Sequence, residues 1–216
     1  MKAMILCAGR GERMRPLTDT TPKPLLKVGD KPLVVWHIEK LKGCGFEDIV
    51  INIAHLGYKI PEALGDGSKW GVKITYSDEQ EGKALESAGG IKKALHLLGD
   101  TFLVVNGDVF CKYDFDVDFD LKDKLAHLIL VPNPPHNKDG DFSLDAQIVT
   151  NDKNYTFSGI GYYSCKLFED VEEKKTPLAP ILRDAIDKKL ISGELFDGIW
   201  HDIGTPQRLK EINKIC

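Results

Sequence analysis

A glycine-rich stretch near the N-terminus holds the residues best suited to binding a polyphosphate. Gly9 and Gly11 follow an apolar run, residues 3–7, whose composition is that of a buried parallel strand. Glycines at such a position let the backbone approach a ligand closely. Four cationic side chains come after the run: Arg10, Arg13, Arg15 and Lys23. Because a triphosphate needs its charge neutralised where it reacts, this density of cations predicts a nucleoside triphosphate site.

Two better-known glycine motifs do not fit this stretch. A Walker loop needs a glycine followed directly by lysine and then by serine or threonine, and the chain has no such triplet. A dinucleotide-binding fingerprint needs a third glycine where Met14 stands and an acidic residue at the end of the second strand, where residues 50–55 have none. The remaining alternative to a phosphate site is a surface loop with solvated charges.

Two aspartates stand at positions suited to a metal ligand. Asp108 follows Gly107 at the end of an apolar strand, and open α/β sheets bind ligands at the carboxyl ends of their strands. Asp108 could bind magnesium there or cap the next segment, and the sequence leaves both open. Asp202 comes just before Thr205 and Pro206, which are typical of an N-cap and a first helical turn. Since Thr205 supplies the cap, Asp202 is free for a ligand role.

Length and charge limit the kind of protein. The chain has 216 residues, of which 42% are hydrophobic, and a net charge of −4. We therefore expect residues 1–216 to form a single domain around one core. Nucleic-acid and membrane-surface proteins need a basic footprint, so the charge argues against both and favours small-molecule partners. The first apolar run is shorter than the core of a signal peptide, and no apolar stretch approaches the ~20 residues of a membrane span.

The cysteines indicate a reducing compartment. They are odd in number and widely scattered, without the spacing of a zinc or redox motif. The five positions are Cys7, Cys44, Cys111, Cys165 and Cys216. We expect these thiols to be reduced and the protein to be a cytoplasmic enzyme.

Hydrophobic periodicity predicts alternating strands and helices in the first half of the chain. The predicted strands are 48–53, 72–76 and 101–106, and the predicted helices are 33–43, 60–64 and 87–98. Asp30 is a possible cap of the first helix, with Pro32 in its first turn. The second half has predicted strands at 127–131, 146–150 and 155–163 and predicted helices at 178–189 and 205–214. This order indicates an α/β fold with a largely parallel sheet and mixed additions.

Motifs spread along the chain resemble those of one enzyme family. AGRGERMRPLT at 8–18, followed by TPKPLLKV at 21–28, is similar to the signature of the sugar-1-phosphate nucleotidyltransferases. The resemblance continues with VVNGD at 104–108, FSG at 157–159 and WHDIGTPQRL at 200–209. It implies a Rossmann-like, GT-A-like fold with a mixed, mostly parallel sheet flanked by helices. It also implies a minimal catalytic domain without a C-terminal β-helix.

The resemblance implies a reaction and a set of catalytic residues. An oxygen of a sugar 1-phosphate attacks the α-phosphorus of a nucleoside triphosphate, and pyrophosphate leaves. In this reading Asp108 and Asp202 jointly coordinate Mg²⁺. Arg15 is expected to clamp the leaving phosphates, and Lys23 to lie between the two reacting phosphates. The other two arginines of the loop are expected to be solvated or paired locally.

The nucleotide is expected to contact two segments. Ala8, Gly9 and Gly11 would face the phosphates. Residues 76–91 resemble the stretch with which the family recognises the base. Gly89 and Gly90 would let the backbone contact the base there, or would only relieve packing. Either Glu79 or Glu81 could face the base.

The acceptor is expected to bind beside residues 133–144 (NPPHNKDGDFSL) and the FSG motif. The positions assigned to the sugar are Gly140, Asp141, Ser158 and Gly159. An ordinary surface turn is the alternative for residues 133–140. Within the family, the resemblance implies transfer from UTP to N-acetylmuramic acid 1-phosphate. A mannose- or heptose-1-phosphate guanylyltransferase and a non-catalytic nucleotide-sugar sensor are the alternatives.

Overall fold

The computed structural model describes residues 1–214, which form an eight-stranded sheet with helices on both faces and two small two-stranded sheets. The strands are β1 Lys2–Leu6, β2 Lys27–Val28, β3 Lys31–Pro32, β4 Asp48–Ile53, β5 Lys73–Asp78, β6 Thr101–Asn106, β7 Val109–Cys111, β8 Ala126–Val131, β9 Phe142–Asp145, β10 Ile148–Ser164, β11 Ile191–Leu195 and β12 Trp200–Asp202. The α-helices are α1 Leu33–Gly43, α2 Lys59–Leu64, α3 Glu86–Ala94, α4 Leu178–Asp187 and α5 Pro206–Ile212. Across the described chain, no helix is long and apolar enough to cross a membrane.

The strand order of the main sheet is β11-β8-β10-β6-β1-β4-β5, with β9 paired to β10. Strands β6, β1, β4 and β5 run parallel to one another, whereas β10 is antiparallel to β6 and β8. The predicted α/β fold with a mixed, mostly parallel sheet flanked by helices is therefore confirmed.

The two faces of the sheet bury separate sets of apolar side chains. Ala3 and Ile5 of β1 pack with α1 and α2 on one face, and Met4 packs with α3 and α4 on the other. All three side chains are fully buried. Successive residues of a strand point to opposite faces, so a strand covered on both sides must be apolar at every position. Each fully buried aliphatic side chain contributes about 1.5–3 kcal/mol.

Helix boundaries follow the local sequence, with one correction. Helix α5 begins as predicted after Thr205, whose Oγ1 accepts a hydrogen bond from the Arg208 amide. The expectation that Asp30 caps α1 is wrong, because Pro32 lies in β3 and is itself the residue before the helix. The Leu33 amide donates instead to the carbonyl oxygen of Leu26. The short β2–β3 hairpin therefore sets the start of α1.

One long strand replaces two predicted ones. Residues 146–150 and 155–163 fall almost entirely within β10, which is continuous from Ile148 to Ser164. The polar residues 151–154 looked like a turn, but the structure has only a register shift there against β9. A second shift against β8 lies at Gly159, whose positive φ of 78° favours glycine.

The cysteines of the described chain agree with the expectation of reduced thiols. Cys7, Cys44, Cys111 and Cys165 are free. Cys216 lies outside the described residues.

The topology creates a crevice at the carboxyl ends of β1 and β6. From β1 the chain continues to β4 and β5 on one side and returns through β6 on the other side. Strand order reverses at this point, and open α/β sheets bind ligands at such a switch point. The glycine-rich stretch follows β1, and Asp108 follows β6, so the fold brings these two segments together.

Candidate active site

A cavity of about 900 Å³ opens at this switch point. Its wall is formed by the segments that follow parallel strands. Residues 7–13 come after β1, residues 54–55 after β4, and residues 107–108 after β6. Glu81, Gly82 and Ala84 line the cavity from the loop after β5. The volume and the convergence of polar groups are those of a small-molecule site.

The loop after β1 is held in shape by Thr18. Gly11 has a φ of 64°, and a Cβ there would lie 2.9 Å from Thr18 Cγ2. Thr18 is 2% exposed, and its Oγ1 donates to the Gly11 carbonyl oxygen at 2.8 Å. Glycine is therefore required at position 11. Ala8, Gly9 and Gly11 all line the cavity, where the sequence placed the phosphates.

The cations that reach the cavity differ from those expected. Arg10, Arg13 and Lys23 line it, whereas Arg15 does not. The Nε atom of Arg15 lies 2.9 Å from Asp19 Oδ1, and the side chain is 62% exposed. Arg15, expected to face the phosphates, thus lies outside the cavity lining, and Arg13, expected to be solvated or paired locally, lies in it.

Met14 separates the two arginines. It is the apolar residue between them, and it is fully buried in a small cluster with Leu33 and Phe110. Met14 points into this cluster, Arg13 on one side of it lines the cavity, and Arg15 on the other side does not. An apolar residue between two arginines indicates a buried position in the loop. The sequence alone does not indicate which of the two arginines faces a ligand.

Lys23 and Asp108 meet in the cavity wall. The Lys23 Nζ donates to Asp108 Oδ2 at 2.6 Å, and Lys23 is 9% exposed. The Asp108 side chain is 36% exposed, and both residues line the cavity. A buried ammonium beside a carboxylate is fixed in position and charged at the place where phosphate oxygens would bind.

Asp202 lies beside Asp108 through strand pairing. In the antiparallel pair β7–β12, Asp202 is opposite Val109, and the Ile203 amide donates to the Asp108 carbonyl oxygen at 2.8 Å. The Asp202 Oδ2 accepts from Arg208 Nη1 at 2.7 Å. The same oxygen lies 3.2 Å from Nε2 of His136. Strand pairing thus brings together two aspartates that are far apart in the chain.

The free oxygen of Asp202 suits a divalent cation. Its Oδ1 is buried and has no hydrogen-bond partner within residues 1–214, a state that is costly unless a ligand satisfies it. No group of three or more His, Cys, Asp or Glu residues that could hold a metal occurs in that range. Mg²⁺ binds through one or two carboxylates and completes its shell with water and phosphate oxygens. Asp108 and Asp202, on adjacent strand ends, are carboxylates of the kind that Mg²⁺ takes together with phosphate oxygens, although only Asp108 is among the residues that line the cavity.

A buried polar network connects the ends of β1, β4 and β5 beneath the cavity. The loop of residues 8–18 after β1 is called the phosphate loop below. Asn52 Oδ1 accepts from the Cys7 amide at 2.7 Å, and its Nδ2 donates to Glu79 Oε1 at 2.7 Å. The second Glu79 oxygen accepts from the Leu85 amide. Glu79 is 2% exposed, and burial raises the pKa of its carboxyl group. Glu79 was expected to be able to contact the base. In the structure its carboxylate is bonded to Asn52 and the Leu85 amide, and it does not line the cavity.

Glu81 is the acidic residue that faces the cavity from this loop. Its Oε1 lies 3.0 Å from His55 Nδ1, and its Oε2 accepts from the Leu56 amide at 2.8 Å. The other ring nitrogen of His55 lies 3.0 Å from the Thr18 carbonyl oxygen. His55 therefore connects the phosphate loop to the loop after β5.

Gly89 and Gly90 are packing residues. Both are buried in α3, and neither lines the cavity of about 900 Å³ where the expected contact with a base would lie. A Cβ at Gly89 would lie 2.1 Å from the Lys174 carbonyl oxygen, and one at Gly90 would lie 2.5 Å from Glu79 Oε1. The close approach of the Lys174 backbone to Gly89, and of the Glu79 side chain to Gly90, explains both glycines.

A second cavity, of about 460 Å³, adjoins the first. The two share Glu86, Ser87 and Asn106 as lining residues. The second cavity is otherwise bounded by α4 and by Asp141, Phe142 and Phe157. Of the residues expected beside the sugar, Asp141 is in this wall.

The other three expected sugar contacts are buried behind the wall. Ser158 is 1% exposed, and its Oγ donates to the Ile129 carbonyl oxygen at 2.6 Å. A Cβ at Gly140 would lie 2.9 Å from the Tyr155 carbonyl oxygen, and one at Gly159 would lie 2.5 Å from Asn106 Nδ2. Gly140, Ser158 and Gly159 are therefore corrected to supporting positions. Gly159 leaves room for Asn106, which lines both cavities.

Several known proteins are similar to this chain in sequence or in fold. A family described as "Nucleotidyl transferase" matches residues 2–216. The chain is 54% identical over 228 residues to the N-acetylmuramate alpha-1-phosphate uridylyltransferase of Neisseria meningitidis serogroup B, covering 100% of this chain and 98% of that one. It is 32% identical to the mannose-1-phosphate guanyltransferase of Saccharomyces cerevisiae, over 96% of this chain and 62% of that one. A solved Bacillus anthracis structure, provisionally described as a glucose-1-phosphate thymidylyltransferase, matches with a TM-score of 0.87 and 25% identity, over 100% of this chain and 94% of that one.

Proposed function

The chain belongs to the nucleotidyl transferase family, and from this premise we propose that it transfers the uridylyl group of UTP to N-acetylmuramic acid 1-phosphate. The products are UDP-N-acetylmuramic acid and pyrophosphate. The observation that carries the proposal is the 54% identity to the Neisseria meningitidis uridylyltransferase over the whole of this chain. Two adjoining cavities offer room for two reactants, which supports a transfer between them.

UTP occupies the larger cavity in this proposal. Its phosphates lie against the loop of Ala8, Gly9 and Gly11, where the chain can approach closely. Arg13 neutralises the β- and γ-phosphates through its planar set of donors. Lys23, held by Asp108, faces the α-phosphate as a compact charge.

The chemical step needs positioning and charge stabilisation. A phosphate oxygen of the sugar 1-phosphate forms a bond to the α-phosphorus of UTP. The bond from that phosphorus to the oxygen bridging the α- and β-phosphates breaks, and pyrophosphate carries away the electron pair. No proton transfer to the protein is required. Lys23 stabilises the negative charge that builds up on the α-phosphate, a task to which preorganised cations contribute strongly.

Asp108 and Asp202 are the residues that would hold Mg²⁺. The buried Asp202 Oδ1, which has no hydrogen-bond partner among the residues that the structure describes, and the cavity-facing carboxylate of Asp108 support this assignment. When bound, the ion supplies positive charge that lowers the repulsion between the triphosphate and the incoming phosphate. Arg208 fixes the orientation of Asp202 through its 2.7 Å hydrogen bond.

N-acetylmuramic acid 1-phosphate occupies the smaller cavity. Its volume of about 460 Å³ suits a substituted sugar, and its junction with the larger cavity at Asn106 lets the two phosphates meet. Asp141 lines this cavity, which supports a role in accepting hydrogen bonds from sugar hydroxyl or amide groups through its Oδ1.

A guanylyltransferase acting on mannose 1-phosphate is the second candidate. The 32% identity to the Saccharomyces cerevisiae guanyltransferase, over nearly the whole chain, supports this candidate. A non-catalytic sensor is disfavoured, since the cavity retains Lys23, Asp108 and the neighbouring Asp202 together.

The proposed substrates suggest where the protein works. UTP is made and used in the cytoplasm, and the free thiols at Cys7, Cys44, Cys111 and Cys165 agree with that compartment. We place the reaction in peptidoglycan recycling, because its product carries the muramic acid of the cell wall. Nucleic acid is not a proposed partner, since the net charge is −4.

Pyrophosphate release tests the proposal. The purified protein is assayed with Mg²⁺ and a matrix of two nucleotides, UTP and GTP, against the 1-phosphates of N-acetylmuramic acid, N-acetylglucosamine and mannose. UTP with N-acetylmuramic acid 1-phosphate is expected to give the highest kcat/KM. If GTP with mannose 1-phosphate is fastest, the guanylyltransferase replaces the proposed function. Release with no pair at all supports the sensor.

A further inference from the structure

A single arginine of α4 lies in the wall of the smaller cavity. Arg183 lines it together with Ala179 and Leu182, which precede it by four and one residues. Residues four apart lie on one face of a helix. The face that bears Arg183 therefore borders the cavity, while Ile186 is buried in the core and Leu182 contacts both.

Two hydrogen bonds orient the guanidinium of Arg183 and occupy only some of its N–H donors. Its Nη1 donates to Asn151 Oδ1 at 3.1 Å, and its Nη2 donates to the Asp141 carbonyl oxygen at 3.2 Å. Its central carbon lies 4.9 Å from the centre of the Phe142 ring. A guanidinium has five N–H donors. The contacts formed within residues 1–214 use two of them, and three remain for a ligand.

No carboxylate oxygen of the described residues lies within 4 Å of the Arg183 guanidinium, and Asp187, one turn further along α4, instead accepts a hydrogen bond from Asn151 Nδ2 at 2.7 Å. Asp141 shares the wall, but its Oδ2 accepts from the Phe157 amide at 2.9 Å and from Asn137 Nδ2 at 3.1 Å. Glu86, at the junction, lies 3.5 Å from Lys175 Nζ. The carboxylates of the wall thus have partners of their own.

The rest of the wall is largely apolar. Phe142, Phe157, Leu178 and Leu182 bound the cavity around the arginine. A ligand that fills this space excludes water, and the attraction between opposite charges rises as the local dielectric falls. A planar guanidinium with free donors is matched to a carboxylate, which accepts two parallel hydrogen bonds.

We propose that Arg183 is the residue that selects the acceptor, by binding the carboxylate of the lactyl ether that distinguishes N-acetylmuramic acid from N-acetylglucosamine. This inference rests on the proposed function. The reacting phosphate and the N-acetyl group are common to both sugars, so they give no discrimination. Arg183 supplies the discrimination at the one position where the two sugars differ in charge.

The experiment compares two acceptors in the same variants. The kcat/KM for UTP is measured with N-acetylmuramic acid 1-phosphate and with N-acetylglucosamine 1-phosphate for the wild type, Arg183→Gln and Arg183→Lys. Lys188→Gln is the matched control, since Lys188 is an exposed cation of the same region paired with Asp184. Arg183→Gln is expected to lower kcat/KM for the muramic substrate by about 10- to 100-fold, the range for a hydrogen bond between charged groups. The value for the glucosamine substrate stays within about twofold, and Arg183→Lys retains part of the preference.

The ratio of the two acceptors separates selection from folding. Arg183 also contacts Asn151 and the Asp141 backbone, so its loss lowers stability, but a smaller folded fraction reduces both activities equally. An equal loss with both sugars, or no loss with either, overturns the role of Arg183 while leaving the proposed function intact. A wild-type enzyme that does not use N-acetylmuramic acid 1-phosphate overturns both. Unchanged selectivity in Lys188→Gln is required for the effect to be assigned to Arg183.

Discussion

Lys23 Nζ lies 2.6 Å from Asp108 Oδ2, although the two residues are 85 positions apart in the chain. Lys23 follows the glycine-rich loop after β1, and Asp108 follows β6, so the pair joins the two segments that meet at the switch point. Lys23 is 9% exposed, which leaves its ammonium group directed at Asp108 and the cavity. The pair therefore holds a fixed cation beside a candidate metal ligand.

Removal of Lys23 should slow the chemical step more than it weakens binding. Lys23→Ala is expected to lower kcat by a factor of about 100 or more, the scale for losing one preorganised transition-state donor. Steady-state kinetics with UTP give kcat and KM separately. Lys27→Ala is the control, because Lys27 is exposed on β2. A rise in KM alone for Lys23→Ala would assign Lys23 to ground-state binding instead.

Neutralising either candidate metal ligand should stop turnover while the protein stays folded. Asp108→Asn and Asp202→Asn are each expected to lower kcat by about 1000-fold or more, since each removes a charged ligand of Mg²⁺. Turnover is measured across a Mg²⁺ titration, and unfolding curves check the fold. The exposed Asp118→Asn is the matched control. Near wild-type rates in either variant contradict the metal assignment.

The two arginines beside Met14 should behave differently. Arg13→Ala is expected to lower kcat/KM for UTP by about 100-fold, because Arg13 lines the cavity and a lost charge-assisted contact to phosphate is costly there. Arg15→Ala is expected to stay within about threefold, since an exposed pair such as Arg15–Asp19 is worth about 0–1 kcal/mol. Both variants are assayed in parallel. The reverse order of effects would restore Arg15 as the phosphate clamp.

Stability should fall in mild acid because of His37. His37 is 4% exposed on α1, and burial lowers its pKa to about 4 from an ordinary value of 6.5, although a hydrogen bond to Val109 and the charge of Asp108 oppose the shift. Between pH 6.5 and 4 the unfolded chain gains a proton that the folded chain does not. The stability contributed above pH 6.5 is therefore lost as the pH falls toward 4.

Urea unfolding at pH 7 and pH 4.5 measures this loss. His37 is expected to account for about 2 kcal/mol of the decrease in the free energy of unfolding between the two values. His37→Gln should show a correspondingly smaller decrease. Burial also lowers the pKa of His127. Because His127 remains in the variant, part of the decrease in the free energy of unfolding remains as well. An equal decrease in the free energy of unfolding in the wild type and in His37→Gln would mean that His37 is not buried in its neutral form.

Patterns that follow a regular period were predictable from the sequence. The strands at 48–53 and 101–106 and the helix at 33–43 have the predicted bounds, since continuous apolar runs and helical spacing leave few alternatives. The position of Gly9, Gly11 and Asp108 at one edge of the sheet was also predictable. The carboxyl ends of parallel strands meet there whatever the details of the loops.

The direction of side chains in irregular segments was decided by the tertiary structure alone. Arg13 and Arg15 flank the buried Met14, and only Arg13 lines the cavity. Glu79 is hydrogen-bonded to Asn52 and buried, whereas Glu81 lines the cavity. A loop has no repeat that assigns faces, so such choices depend on packing against distant residues. Arg183 lies in a regular helix, yet only the packing of α4 against β10 places its guanidinium in the wall of a cavity. The sequence determined where the site is, and packing determined which residues face it.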